Sequence, residues 1–253
     1  MKITFLGTGT SQGVPVIGCK CKVCASANLK DKRLRTSIFI EEKGKNIVID
    51  TGPDFRQQML RENIDKLDAV LFTHEHMDHI AGLDDIRAFN FLSKKPLDVY
   101  ASERVAAELK RHYYYIFKNS KYPGVPQVNV HVIRNQLFDV HGIDIMPIEV
   151  MHFMLPVFGF KINDFVYITD ANKINSKEKL KIKNSKILVI NALRKEKHIS
   201  HFALNEALNL IKDLNVEQAY ITHVSHELGR YDDITKELPN NVFLAYDGLI
   251  LNV

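Results

Sequence analysis

Four side chains of the kinds that bind metal ions lie within six consecutive residues, directly after a short apolar segment. The apolar segment covers residues 69–72, and the four side chains beyond it are those of His74, His76, Asp78 and His79. Imidazole nitrogens and carboxylate oxygens are ligands of zinc, iron and manganese. A loop at the end of a strand has no structural need for this composition, so the sequence predicts a metal-binding loop here.

Further candidate ligands follow three apolar segments in the second half of the chain. The residues directly after these segments are His152, Asp170 and His223. Loops at one edge of a layered α/β fold often converge, so we expect all of these side chains to meet at one place. With the four side chains of the first loop, these three make seven candidate ligands. Seven ligands are too many for one tetrahedral ion and suit two ions. Asp170 is the candidate for a carboxylate that bridges them.

This ligand set points to hydrolysis. Two divalent ions, Zn²⁺ or Mn²⁺, held about 4 Å apart would lower the pKa of a shared water molecule and clamp a phosphoryl oxygen. The predicted nucleophile is a metal-bound hydroxide, with Asp78 among the catalytic residues. His198 and His201 precede a predicted helix, and either could donate a proton to the leaving oxygen or stabilise the charge that develops on the phosphorane.

Other charged residues could support the site without binding metal. Asp50 and Asp247 each lie at the end of an apolar segment, where a carboxylate can orient a ligand through a hydrogen bond. Arg56 and Arg87 could bind a phosphate, although surface ion pairing explains them equally well.

The pattern of apolar residues predicts strands that alternate with helices, which is typical of a layered α/β protein. The predicted strands cover residues 3–6, 37–41, 46–50, 68–73, 143–151, 165–169, 187–191, 219–222 and 242–247. The predicted helices cover residues 54–63, 86–92, 103–117 and 204–214.

The composition is that of a globular protein with ample material for a core. The chain has 253 residues, 45% of them hydrophobic, and no linker divides it, so we expect one domain over residues 1–253. The net charge of +4 permits anionic substrates without predicting nucleic-acid binding. The N-terminal apolar run is too short for a signal peptide, and no run approaches the length of a membrane span. We therefore expect a cytoplasmic protein.

The three cysteines form a second candidate metal site. Cys19, Cys21 and Cys24 are an odd and tightly clustered set, which makes a poor disulfide framework and a good zinc loop. We expect this loop at about residues 15–27. Tetrahedral zinc needs a fourth ligand from elsewhere in the chain, and free thiols are the alternative interpretation.

The spacing His74-x-His76-x-Asp78-His79, followed by His152, Asp170 and His223, resembles the metallo-β-lactamase fold superfamily. The resemblance implies an αββα sandwich, with two central sheets flanked by helices and a dinuclear metal site at one sheet edge. It implies that His74, His76 and His152 hold one ion. It also implies that Asp78, His79 and His223 hold the other, and that Asp170 bridges the two.

The cysteine loop, together with Thr222-His223-Val224-Ser225-His226, resembles the phosphoribosyl 1,2-cyclic phosphate phosphodiesterases. This resemblance implies one structural Zn²⁺ held by the three cysteines and His226. It also implies a histidine that assists phosphoester cleavage, matched here by His201, with His198 as the alternative. A homodimer is a further expectation from this group.

Three kinds of function fit these features. The first is a phosphodiesterase that acts on a small anionic cyclic phosphodiester. The second is an RNA-processing nuclease of the tRNA 3′-endonuclease type, and the third is a thioester or lactone hydrolase. Such nucleases insert a long arm between the ligands that match His152 and Asp170, and residues 153–169 leave no room for one. We expect neither a membrane nor a nucleic acid as partner, and the complete ligand set disfavours a binding module without catalysis.

Overall fold

The computed structural model describes residues 1–118 and 122–253, in which two seven-stranded β-sheets pack face to face. The strands are β1 Lys2–Gly7, β2 Ser37–Glu42, β3 Lys45–Ile49, β4 Ala69–Leu71, β5 Leu97–Ser102, β6 Val128–Ile133, β7 Phe138–Val140, β8 Ile143–His152, β9 Leu155–Ile162, β10 Phe165–Tyr167, β11 Ile187–Asn191, β12 Gln218–Thr222, β13 Val242–Leu244 and β14 Ile250–Asn252. The helices are α1 Phe55–Arg61, α2 Met77–Ile80, α3 Arg87–Ser93, α4 Glu103–His112, α5 Tyr114–Phe117, α6 Ser176–Ile182, α7 Leu204–Leu214 and α8 Tyr231–Ile234. Two short 3₁₀ helices cover Leu29–Asp31 and Leu83–Ile86.

The two sheets have the same mixed design. The first has the strand order β14-β1-β2-β3-β4-β5-β6, and its neighbours from β3 to β6 are parallel. The second has the order β13-β12-β11-β10-β9-β8-β7, and its neighbours from β10 to β13 are parallel. The remaining neighbours in each sheet are antiparallel. Parallel strands end at the same edge, so the loops that follow them gather there.

Apolar residues fill three layers of core. Strand β11 shows why its sequence is a continuous apolar run. Ile187 and Val189 belong to the core between the sheets, whereas Leu188 and Ile190 belong to the core shared with α7. A strand buried on both faces needs an apolar side chain at every position. A third core lies under α1, α3 and α4 on the outer face of the first sheet. The predicted αββα sandwich is therefore confirmed.

The predicted helix over residues 103–117 was wrong as a single element. Helix α4 ends at His112 because Tyr113, with φ −110° and ψ 38°, lies outside the helical region. The side chain of Tyr113 is buried, and its hydroxyl donates a hydrogen bond of 2.7 Å to the carbonyl of Ile80. This contact ties the break in the helix to the end of α2.

In the described parts of the chain, no helix is long and apolar enough to cross a membrane.

Candidate metal centres

The candidate ligands meet at the edge where strands of both sheets end. His74 follows β4, and α2 carries Asp78 and His79 from the first sheet. His152 ends β8, while Asp170 and His223 follow β10 and β12 of the second sheet. The site is therefore built across the seam between the sheets.

Asp50, Asp170 and His223 at this edge have left-handed backbone conformations. The φ angles are 64° at Asp50, 55° at Asp170 and 54° at His223. Residues other than glycine adopt this region rarely, and such strain is concentrated at functional sites. The sharp turn keeps each side chain at the strand end instead of letting it follow the loop outward.

The first cluster consists of His74, His76, His152 and Asp170, whose ligand atoms all lie within 4.8 Å of one another. Nε2 of His74 lies 3.1 Å from Nδ1 of His76 and 3.8 Å from Oδ2 of Asp170. Two imidazole nitrogens on one tetrahedral zinc ion would lie about 3.3 Å apart. His76 is exposed, so this cluster opens to solvent on the His76 side.

The second cluster consists of Asp78, His79, Asp170 and His223, again with ligand atoms within 4.8 Å of one another. Nε2 of His79 lies 3.2 Å from Oδ2 of Asp78, and Nε2 of His223 lies 3.1 Å from Oδ1 of Asp170. Asp170 belongs to both clusters. Its Oδ2 faces the first and its Oδ1 faces the second, which is the arrangement that a bridging carboxylate requires.

Hydrogen bonds at Nδ1 orient three imidazoles so that their Nε2 atoms are the ones available to a cation. Nδ1 of His79 donates to Oδ2 of Asp50 at 2.7 Å, and Nδ1 of His152 donates to the carbonyl of Ser200 at 2.9 Å. Thr73 donates its hydroxyl to Asp50 at 2.8 Å and accepts a hydrogen bond from Nδ1 of His74 at 2.9 Å. Such partners set the tautomer and the ring orientation of a ligand.

Unpartnered buried atoms show that these residues fit metal ions. Within the described residues, Nε2 of His79 and both ring nitrogens of His223 are buried without a hydrogen-bond partner. Leaving a buried polar atom unpaired is costly, so each such atom in a native structure needs an explanation. A cation bound between the imidazoles and Asp170 would satisfy the Nε2 atoms.

The electrostatics of the site also favour cations. Burial acts to raise the pKa of Asp170, but His223 and His79 hold it well below its ordinary value. Burial also acts to raise the pKa of Asp78, but His79 and His223 lower it well below its ordinary value. Both carboxylates are therefore ionised at neutral pH. Burial is the main cause of a lowered pKa at His74 and His152, which favours the neutral imidazole that binds metal.

His201 lies between the two clusters. Its Nε2 is 3.2 Å from Oδ2 of Asp170, and its ring stacks on His223 with centroids 4.8 Å apart. Burial is the main reason that the pKa of His201 is lowered to about 4. His198 lies farther out, with Nδ1 3.2 Å from Nδ1 of His201. The structure thus places His201 against the shared carboxylate and His198 behind it.

The cysteine loop and His226 form a separate cluster. The Sγ atoms of Cys19, Cys21 and Cys24 lie 3.4, 3.4 and 3.5 Å from Nδ1 of His226. Sulfur and nitrogen ligands on one tetrahedral zinc ion would lie about 3.5 Å apart. A hydrogen bond from the backbone amide of Cys24, and to a smaller extent one from His226, lowers the pKa of Cys21 to about 6. Burial raises the pKa of Cys24 to about 11. Three thiols equidistant from one imidazole fit a zinc ion.

The prediction that Asp247 supports a metal ligand was wrong. Its carboxylate accepts hydrogen bonds from the Thr8 hydroxyl and the Leu34 amide, both at 2.7 Å. These contacts hold the loop after β1, whose Thr8 carbonyl accepts a hydrogen bond from the amide of Val224. Asp247 therefore acts on the backbone next to His223 and not on a ligand side chain. Arg87 forms a surface ion pair with Asp84 at 3.0 Å.

Several residues that shape the site were missed by the sequence analysis. Glu75 lies between two ligands and pairs with Nε of Arg104 on α4 at 3.1 Å. Gly52 packs so closely that a Cβ atom would collide with the carbonyl oxygen of Asp78. A threonine precedes three of the ligands in the sequence, and this repetition was the one available signal for Thr73.

An αββα sandwich with two His/Asp clusters that share one carboxylate at a sheet edge defines a protein with a metallo-β-lactamase fold. The chain belongs to the beta-lactamase superfamily, because residues 45–224 match the family described as "Beta-lactamase superfamily domain". This match includes all seven candidate ligands of the two clusters.

Two solved structures have the same fold as this chain. The chain is similar to the crystal structure of a diphosphatase from the PhnP family, with a TM-score of 0.93 and 36% identity, covering 100% of this chain and 97% of that one. It has the fold of zinc-bound PqqB from Methylobacterium extorquens, with a TM-score of 0.82 and 19% identity over 100% of both chains. The PhnP-family similarity is consistent with the predicted resemblance to cyclic phosphodiesterases.

One relative in sequence is matched over only about half of its own length. The chain is 38% identical to an octanoyltransferase from Porphyromonas gingivalis over 252 residues, which are 98% of this chain and 51% of the relative. The chain therefore spans about half the length of that protein.

Proposed function

We propose that this protein is a metal-dependent phosphodiesterase that hydrolyses small anionic cyclic phosphodiesters. The observation that carries the proposal is the division of Asp170 between two clusters, with Oδ2 facing His74 and Oδ1 facing His223. His74, His76 and His152 would hold one divalent ion, Asp78, His79 and His223 a second, and Asp170 both. Two ions bound there would acidify water and polarise a phosphoryl oxygen.

The protein's own residues would position the substrate and stabilise its leaving oxygen. The exposed side of His76 is the open approach to the clusters, so the phosphate would enter there. His201 presents Nε2 beside the shared carboxylate, 3.2 Å from Oδ2 of Asp170. Because burial lowers the pKa of His201 to about 4, its imidazole is neutral at neutral pH, and its N–H can donate a hydrogen bond to the negative charge that develops on the leaving oxygen. Asp50 and Thr73 hold His79 and His74 in place during this step.

The similarity to a PhnP-family diphosphatase supports phosphoryl chemistry, and the Cys₃His cluster supports the cyclic phosphodiesterase group. The β8–β9 connection weighs against a nuclease with a long arm at this position. His152 pairs directly with Leu155, so Phe153 and Met154 alone form the turn. The name octanoyltransferase belongs to a protein about twice as long and supplies no argument for the chemistry of this chain.

The test is a substrate panel with protein reconstituted in zinc or manganese. We expect cleavage of bis(p-nitrophenyl) phosphate and of 2′,3′-cyclic nucleotides, and loss of both activities in Asp78→Ala and His76→Ala. Asp65→Ala, at an exposed position outside the clusters, is the matched control and should retain activity. Cleavage of a lactone or thioester without cleavage of any phosphodiester would contradict the proposal.

A further inference from the structure

The metal-binding loop carries an acidic residue that belongs to neither cluster. Glu75 lies between His74 and His76 in the sequence, and its side chain is mostly buried. Among the described residues, Oε2 of Glu75 is buried without a hydrogen-bond partner. Its Oε1 lies 3.1 Å from Nε of Arg104, on α4. A buried carboxylate is costly unless a cation compensates its charge, so this ion pair fixes the place of Glu75.

Arg104 also contacts the second sheet. Its Nη2 donates a hydrogen bond to the carbonyl of Pro156 in β9, and Pro156 pairs with Met151 in β8. Met151 directly precedes the ligand His152. The guanidinium of Arg104 therefore joins helix α4, the metal-binding loop and the strand pair that carries His152. It connects parts of both sheets that contribute ligands to the first cluster.

The loop is not packed tightly against the second sheet at this place. A groove of about 240 Å³ is lined by residues of both sheets, among them Thr73, Arg104, Pro156 and Phe158. The amide of Phe158 donates a hydrogen bond of 3.1 Å to the Thr73 carbonyl. The bond from Arg104 to Pro156 is a second polar contact between the two sides of the groove. Polar contacts therefore do here what close packing does elsewhere in the core.

His76 is the imidazole of the first cluster that lacks support of its own. The rings of His74 and His152 each donate from Nδ1, to a threonine hydroxyl and to a backbone carbonyl. Within the described residues, the side chain of His76 has one polar contact, at 3.1 Å from Nε2 of His74, and it is exposed. Its position therefore depends on the backbone of the metal-binding loop, which the neighbouring Glu75 anchors.

We propose that Arg104 is a positioning residue that holds His76 in the first metal cluster. It does so through Glu75 on one side of the seam and the Pro156 carbonyl on the other. The proposal concerns metal binding and does not depend on which substrate is cleaved. It also predicts the sign of an effect. By electrostatics alone, removing a positive charge near a cation site should tighten cation binding. Loss of a positioning contact should weaken it, because His76 is released.

The test withdraws Zn²⁺ from the fully loaded protein with a chelating dye, which gives the number and the Kd of the bound ions. In Arg104→Ala, one ion should bind about 10–100-fold more weakly than in the wild type. The Kd values of the other ions should change by less than about twofold. In a His74→Ala background, where the first cluster has already lost a ligand, Arg104→Ala should cause no comparable further loss.

Two further variants separate positioning from charge and from folding. Arg111→Ala removes an exposed arginine that pairs with Glu108 on the same helix, and it should leave every Kd unchanged. Arg104→Lys keeps the charge, but an ammonium cannot reproduce the fork of a guanidinium, so its loss should be intermediate. It also provides the comparison if Arg104→Ala does not fold.

Tighter or unchanged binding of all ions in Arg104→Ala would overturn the proposal. So would equal weakening of the ions in both clusters, or wild-type affinity in Arg104→Lys. If no phosphodiester is cleaved, the proposed function fails, and the withdrawal of Zn²⁺ still decides the role of Arg104.

Discussion

Cys21 and His226 are 205 residues apart in the sequence, yet Sγ of Cys21 lies 3.4 Å from Nδ1 of His226. His226 comes three residues after the candidate ligand His223. The backbone at Val224 also pairs with Gly9, in the loop before the cysteines. The candidate structural zinc site therefore holds the loop that supplies one of the ligands of the second cluster.

We expect Cys21→Ser to lose one zinc ion per chain and to unfold more easily. Zinc that binds only the folded protein stabilises it by roughly 2–3 kcal/mol when present at about 100 times its Kd. Metal analysis and chemical denaturation measure the two effects. Lys22→Ser, at an exposed position in the same loop, should change neither. Unchanged zinc content in Cys21→Ser would refute the assignment of this site.

Asp50→Asn should weaken metal binding by about 10–100-fold. Both carboxylate oxygens of Asp50 accept hydrogen bonds, from the Thr73 amide and hydroxyl and from Nδ1 of His79. An amide group in this place would set an N–H against one of these donors and disturb the orientation of His79. Competition with a chelating dye measures the affinity.

The matched control for that experiment is Asp247→Asn, which alters another carboxylate that accepts several hydrogen bonds. Its partners are Thr8, Leu34 and Arg61, none of which is a candidate ligand, so stability should fall while metal affinity changes little. An equal loss of affinity in both variants would contradict a specific role for Asp50.

His201→Ala should lower kcat on a 2′,3′-cyclic nucleotide by about 10²–10⁴-fold, whereas His198→Ala should lower it less than about tenfold. The reason is position, because Nε2 of His201 lies 3.2 Å from Asp170 and His198 contacts His201 from the far side. A p-nitrophenyl leaving group needs little stabilisation of its developing charge, so the loss in His201→Ala should be smaller on bis(p-nitrophenyl) phosphate. A loss of equal size on both substrates would argue for a purely structural role.

Asp98, which belongs to neither metal cluster, is predicted to make stability depend on pH. Asp98 accepts hydrogen bonds from His131 at 2.9 Å and from Asn129 at 3.1 Å, and His141 lies 3.2 Å from its other oxygen. Burial acts to raise the pKa of Asp98, but the bonds from His131 and Asn129 outweigh it and lower the pKa below the ordinary value of 3.8.

The sign of the effect follows from the lowered pKa. A carboxylate with a depressed folded pKa adds stability above its unfolded pKa and loses it as the pH falls through the folded pKa. The stability advantage of the wild type over Asp98→Asn should therefore be full above about pH 5 and should shrink below about pH 4. Urea denaturation across this range measures it, with the exposed Asp144→Asn as control. An advantage that does not change with pH would contradict the lowered pKa.

Much of the fold and the identity of the candidate ligands could be predicted from the sequence. Strands such as β11 are buried on both faces, so their apolar runs are visible without any knowledge of the partner strands. Metal-binding side chains directly after such runs stand out because strand ends rarely need them. The break at Tyr113 could not be predicted in this way, because it depends on a hydrogen bond to Ile80, distant in sequence.

By itself, then, the sequence determined which residue types stand at the strand ends, because burial of a strand is a local pattern of apolar side chains. Only the tertiary structure decided which of them meet. It placed one oxygen of Asp170 at each cluster and paired Asp50 with His79 by a hydrogen bond. It also paired Asp247 with Thr8, which is 239 residues away in the sequence. Such contacts depend on strand order and on the seam between the sheets, and neither is encoded in a local pattern.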